Sequence, residues 1–283
     1  MTVDHDRLFK ELLTTYFEEF MLLFFPEVYE EIDFSELNFL SEELYTDVTA
    51  GEKYRVDLLA ETKLKGEDSL IIIHLEPQSY AQDSFNERMF LYFSRLYEKY
   101  RRKIVPIAIF SYDTIRNEPN IFEISFPFLK TLHYQFLKVE LKKHNWRDFV
   151  RKENPVAAAL LAKMGYNDSE RIEVKKEFLR MIVRMNIDMA RQTLLTGFFE
   201  TYLKLSSEEE NQLIEEVKQM DKKEGEKVME VMVSYERRGM EKGIEKGVNQ
   251  VASEMLKKGL DLQLITEVTG LKEEEVLGLK NDK

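Results

Sequence analysis

The runs Tyr54-Arg55-Val56-Asp57-Leu58-Leu59-Ala60 and Leu70-Ile71-Ile72-Ile73-His74-Leu75-Glu76-Pro77-Gln78 decide how this chain is read. Both are rich in branched apolar residues, and Lys65-Gly66-Glu67-Asp68 between them is a short polar turn of the kind that joins antiparallel strands. Side chains alternate across a strand, so Ile72, His74, Glu76 and Gln78 share one face while Ile71, Ile73 and Leu75 point the other way. Three polar groups are thereby expected at one end of the second strand. Asp57 interrupts an apolar run on the first strand, where a lone carboxylate is costly without a partner or a metal. An aspartate and a glutamate on neighbouring strands suit one divalent cation, with water filling its other positions. Pro77 cannot donate to a ladder, so it should end or bulge the strand and free nearby carbonyls. The competing reading makes Asp57 and Glu76 plain strand-end charges in an acid-rich chain.

Outward from this hairpin, residues 5–24 place apolar groups at helical spacing and predict one amphipathic helix ending at Pro26. Asn38 to Val48 predicts a strand before the hairpin. Phe85, Met89, Tyr92, Phe93, Leu96 and Tyr100 predict a long helix over Gln82 to Arg102, followed by strands over Ile104–Ser111, Ile121–Phe126 and Leu132–Val139. The expectation is an α/β unit over 1–150, with a mixed central sheet flanked by helices. After Asn154-Pro155 the periodicity is helical, giving a helical domain over 151–233. A long charged helix and a small helical hairpin follow over 234–283. Gly239, Gly243 and Gly247 recur every four residues in that helix, each costing about 1 kcal/mol relative to alanine. A partner helix on the glycine face and a frayed tail are the two readings. The terminal hairpin has the outline of a DNA-reading helix-turn-helix, but Glu273, Glu274 and Glu275 at its second helix would repel phosphate and weigh against that use.

The 283 residues contain no cysteine, which removes disulfides, Cys-ligated metals and a Cys nucleophile. No apolar run is long enough to span a bilayer, and Met1–Lys10 lacks the apolar stretch of a signal peptide, so a cytoplasmic protein without membrane association is expected. The net charge of −12 argues at first sight against nucleic acid, yet it is unevenly placed. Met1–Asp68 holds 18 acids against 6 bases, whereas residues 69–150 hold 12 bases against 9 acids. Arg88, Arg95, Lys99, Arg101, Arg102 and Lys103 give the second long helix a basic side, the expected surface for a DNA backbone.

The run from Asp57 to Glu76-Pro77-Gln78 resembles the PD-(D/E)XK nuclease superfamily in its D…ExQ variant. Three further stretches are similar to the Rpn family of recombination-promoting, YhgA-like nucleases, which is also classed with transposases: His5-Asp6-Arg7-Leu8-Phe9-Lys10, the helix Arg88-Met89-Phe90 to Glu98-Lys99-Tyr100, and Gly239-Met240-Glu241-Lys242-Gly243. The resemblance covers about residues 4–140 and 235–277. It implies a restriction-endonuclease-like core that hydrolyses DNA phosphodiester bonds with Mg²⁺ or Mn²⁺. Asp57 and Glu76 would be metal ligands, with the Pro77 carbonyl as a third. Gln78 occupies the position usually held by lysine; its amide donates hydrogen bonds but adds no positive charge. The missing charge would be borrowed from Lys10, Arg55 or Lys63. Asp6, with Glu11 as a competitor, would lend an acid from the first helix, although Asp6 and Lys10 also suit a surface i,i+4 pair. His74 would face the scissile phosphate or act as a structural hydrogen-bonder. The expected partners are DNA and further copies of the chain, a dimer being favoured. The competing classes are a catalytically silent DNA-binding accessory protein and an oligomeric interaction protein that keeps the nuclease fold.

Overall fold

The computed structural model describes residues 5–40, 45–46, 53–54, 58–76 and 85–279, the side chains at 45–46, 53–54, 72–76 and 242 excepted. They form two units, one up to Met220 and one from Asp221.

The first unit opens with α1 (His5–Thr15), α2 (Phe17–Phe24) and α3 (Pro26–Tyr29). The single helix predicted over 5–24 is broken at Tyr16, whose φ of −129° and ψ of 42° leave the helical region. The break escapes the apolar pattern because Phe9, Leu12, Leu13, Tyr16, Phe17 and Phe20 are all buried across it. The strands are β1 (Ile32–Leu40), the two-residue β2 (Tyr45–Thr46) and β3 (Lys53–Tyr54), then β4 (Leu58–Leu64) and β5 (Glu67–Glu76). After α4 (Phe85–Tyr100) come β6 (Lys103–Phe110), β7 (Ile121–Phe126), β8 (Leu129–Gln135) and β9 (Leu137–Glu140). The first strand thus starts earlier than predicted, at Ile32 rather than Asn38. Its Asn38–Leu40 end pairs with Leu59–Glu61.

The central sheet has the order β1-β4-β5-β6-β9. β1/β4 and β4/β5 are antiparallel, whereas β5/β6 and β6/β9 are parallel. The sheet is therefore mixed, as the α/β reading requires, and α4 is the crossover that a parallel β5/β6 pair needs. The β4–β5 hairpin turns at Lys65-Gly66, both in the left-handed region at φ 50° and 81°. α4 buries Phe85, Met89, Tyr92 and Leu96 against a core that includes Leu59, Leu70, Ala108, Phe110 and Phe136. The strand predicted over Leu132–Val139 is two strands. β8 pairs with β7 in a separate hairpin and β9 joins the central sheet, because Asn120 clamps Phe136 between them from both its carbonyl (3.1 Å) and its side-chain amide (2.9 Å).

The rest of this unit is helical: α5 (Pro155–Leu160), α6 (Arg171–Met185), α7 (Met189–Tyr202) and α8 (Ser207–Lys218), with short 3₁₀ turns between them. Asn154 caps α5 at the Ala157 amide (2.9 Å) and donates to the Glu19 carbonyl in the first turn of α2 (2.9 Å). α1 lies against α7 through an edge-to-face contact of Phe9 with Phe198 at 4.9 Å. The opening helices thus pack against the later helices.

The second unit comprises α9 (Lys222–Lys257), α10 (Leu262–Thr269) and α11 (Glu273–Gly278). Gly259 and Gly270 end α9 and α10 at φ 74° and 72°, where a side chain would be strained. Ala252, Ile265 and Val276, one from each helix, form a small closed core. No helix is long and apolar enough to cross a membrane among the described residues.

Candidate functional site

The parallel register brings the last residues of β5 and β6 side by side, Glu76 opposite Phe110. Leu58, next in sequence to Asp57, pairs with Ile73, three residues before Glu76. In open α/β sheets the carboxyl ends of parallel strands are where ligands bind, since the chain leaves the sheet there in loops. Asp57, Pro77 and Gln78 lie outside the described residues, as do the side chains of His74 and Glu76. Among the described residues no group of three or more His, Cys, Asp or Glu side chains gathers to hold a metal.

The α1 residues are placed by the packing of α1 on α7. His5 Nδ1 is 2.9 Å from the Tyr202 hydroxyl. Burial pushes the Tyr202 phenol up, and the charges of Asp6 and Asp113 push it further, so both carboxylates lie near it. Lys10 is half-buried on the same helix, and Glu11 is exposed.

The predicted basic surface divides. Arg88 sits over the Phe85 ring at 5.1 Å, Lys99 over Tyr100 at 4.9 Å and Arg101 over Tyr97 at 5.8 Å. Arg102 pairs with Glu61 and Lys103 with Glu67. Arg101–Lys103 therefore stand at the start of β6, about 23 Å of strand away from Phe110 at its carboxyl end. Those three are not brought together with Glu76.

A constellation that sequence reading missed lies nearer to that end. Asp113 follows β6 by three residues and accepts a hydrogen bond from Lys163 Nζ at 2.9 Å. The Lys163 ammonium also lies 5.1 Å from the centre of the Tyr202 ring. Its side chain is 3% exposed and that of Asp113 72% exposed. Burial pushes the Lys163 amine down, and Asp113 partly offsets this. Gly165 fixes this segment: its amide donates to the His144 carbonyl at 2.8 Å, and a Cβ there would lie 2.7 Å from the Lys142 carbonyl. Only glycine permits that approach. Beside it, Phe110, Tyr112, Arg116, Glu140, Lys142 and Lys143 line a shallow, solvent-open cleft. In sequence, Lys163 follows an apolar Ala-rich helix, and its partner is 50 residues away, so no local pattern marks it.

In the second unit the turn between α10 and α11 resolves part of the objection raised by three consecutive glutamates. Glu275 folds back so that its carboxylate accepts the Lys272 amide at 2.8 Å, completing the start of α11. One of the three carboxylates is thus directed onto the helix start. At α10 the N-cap side chain itself does this work, Asp261 accepting from the Gln263 amide at 2.9 Å.

Residues 249–281 match the family model described as the Rpn/YhgA-like nuclease family, C-terminal HTH domain. The matched segment is the end of α9 with α10 and α11, and it corrects the weight placed against a helix-turn-helix on charge grounds. No curated protein and no solved structure matches the chain.

Proposed function

Because the chain belongs to the Rpn/YhgA-like nuclease family, we propose that it is a divalent-metal-dependent DNA endonuclease built on a PD-(D/E)XK core. The observation that carries this reading is the hairpin register, which pairs the neighbour of Asp57 with Ile73 and ends β5 at Glu76 beside the end of β6. The element order helix, strand, hairpin, crossover helix, parallel strand supports the same core.

Asp57, Glu76 and the Pro77 carbonyl would hold Mg²⁺ or Mn²⁺, and an all-oxygen donor set fits such hard cations. A bound ion of this kind supplies an activated water and stabilises charge on a phosphoryl oxygen. The Gln78 amide donates hydrogen bonds to the attacking water or to the phosphate. His74 on the same strand face contacts the phosphate, and Asp6, with Glu11 as the alternative, contributes an acid from α1. The helix-turn-helix supplies DNA contacts of its own, and α9 with its open glycine face joins copies of the chain into a dimer.

A second reading, a silent accessory protein that binds DNA without cutting it, is favoured by one observation: Gln78 stands where the charged lysine is usual. Supercoiled plasmid incubated with the purified protein separates the two. Nicking or linearisation that needs Mg²⁺ or Mn²⁺ supports the endonuclease; retarded but intact plasmid under every metal supports the accessory protein.

A further inference from the structure

Lys163 differs from the other buried lysine of this unit in one respect. Lys175 is held between Glu200 at 2.8 Å and Glu210 at 2.5 Å, whose side chains are 18% and 33% exposed. Lys163 has instead a carboxylate from a surface loop, in open solvent, covering an ammonium buried to the same degree. A solvent-exposed acid is a weak anchor, since water screens it and holding it in place costs side-chain entropy. It is also readily displaced by a stronger anion.

Resting on the nuclease reading above, we propose that Lys163 is a catalytic residue that contacts a phosphate of the substrate at the carboxyl end of β6. It supplies the positive charge that Gln78 does not, and Asp113 holds its ammonium until the phosphate takes its place. Three observations converge on this. Asp113 is three residues beyond Phe110, the partner of Glu76, and three residues span at most about 10 Å. The ammonium therefore stands within a few ångströms of a loop that leaves the sheet beside Glu76. Next to it, Arg116, Lys142 and Lys143 line the cleft against one acid, Glu140, which Lys143 already pairs at 2.8 Å. A phosphodiester backbone bound at Lys163 would pass along the rim formed by Arg116, Lys142 and Lys143. Finally, Lys163 is positioned from below by Tyr202, which His5 holds at the start of α1, so the helix that carries Asp6 also fixes the cation. Burial that disfavours the ammonium in the free protein makes a phosphate partner more valuable to it.

The test uses the full chain and thymidine 3′,5′-bisphosphate, a probe too small to engage a helix-turn-helix, titrated calorimetrically in Ca²⁺. Lys163→Met should weaken binding at least tenfold and slow metal-dependent plasmid cutting about a hundredfold, with Lys163→Arg recovering part of both. Asp113→Asn, a change on an exposed side chain, should bind the bisphosphate more tightly than the parent. If the parent does not bind the bisphosphate, or if Lys163→Met binds it as the parent does with the same melting temperature, the proposal is overturned. Should Lys163→Met fail to fold, weaker or unchanged binding by Asp113→Asn overturns it instead. Failure of the nuclease reading is a separate result, namely intact plasmid with the parent protein under Mg²⁺ and Mn²⁺.

Discussion

Glu76 and Phe110 are direct partners at the ends of two parallel strands, Cα opposite Cα. Phe110 is buried in the core beneath α4, so the backbone beside Glu76 is fixed by packing rather than by a loop. A carboxylate placed at such an end keeps its strand position while the chains beyond it are free to vary, which is the usual division between scaffold and site.

The helix-turn-helix depends on three buried side chains, and Ile265 is the central one. Ile265→Asp buries a charge in a core with no partner for it and should unfold the second unit. Duplex binding measured by fluorescence anisotropy should weaken at least tenfold, while the main thermal transition of the first unit stays in place. Binding by the parent should be strongly salt-sensitive, because phosphate contacts release counterions.

Lys175 is buried between two glutamates, and its loss leaves Glu200 uncompensated. Lys175→Ala should cost about 3 kcal/mol in urea unfolding. Burial raises the Glu200 carboxyl above its ordinary pKa, with Lys175 opposing the shift. The folded chain therefore binds more protons at this site than the unfolded chain in the window just above the ordinary glutamate value. Stability contributed by this group is greatest below that window and falls as pH rises through it. Lys175→Ala should widen and deepen the fall, and Lys175→Ala with Glu200→Gln should remove most of it.

A Cβ built at Gly239, Gly243 or Gly247 meets nothing within 4 Å. In an isolated chain, Gly243→Ala should raise the stability of α9 by about 1 kcal/mol. In a dimer joined along this face the same change should lower stability, and the loss should grow with protein concentration. Chemical unfolding at two concentrations, alongside sedimentation velocity, reads the sign.

Much of this architecture is legible in the chain because periodicity survives where packing is one-sided. The β4–β5 hairpin shows period two and a left-handed turn; α4 shows period 3.6 through Phe85, Met89, Tyr92 and Leu96. The break at Tyr16 is hidden because burial continues through it, and the β8/β9 division is hidden because Phe136 is apolar and buried like its neighbours. Of the proposed site, the backbones of Glu76 and His74 are placed by strand register, whereas Lys163, Asp113 and Tyr202 meet only through tertiary packing. Such tertiary meetings leave no spacing in the sequence. The helix-turn-helix was visible in outline, and charge counting undervalued it because a count cannot see that Glu275 is turned onto its own helix.

The most direct measurement is the initial rate of plasmid cutting in Mg²⁺ by the parent, Asp57→Ala and Glu76→Ala at equal concentration, each shown by circular dichroism to melt as the parent does. The parent should cut only when the metal is present, and both variants should be slower by at least a hundredfold, about 2.7 kcal/mol of barrier. Folded variants that cut as fast as the parent would contradict the assignment of Asp57 and Glu76 to the metal.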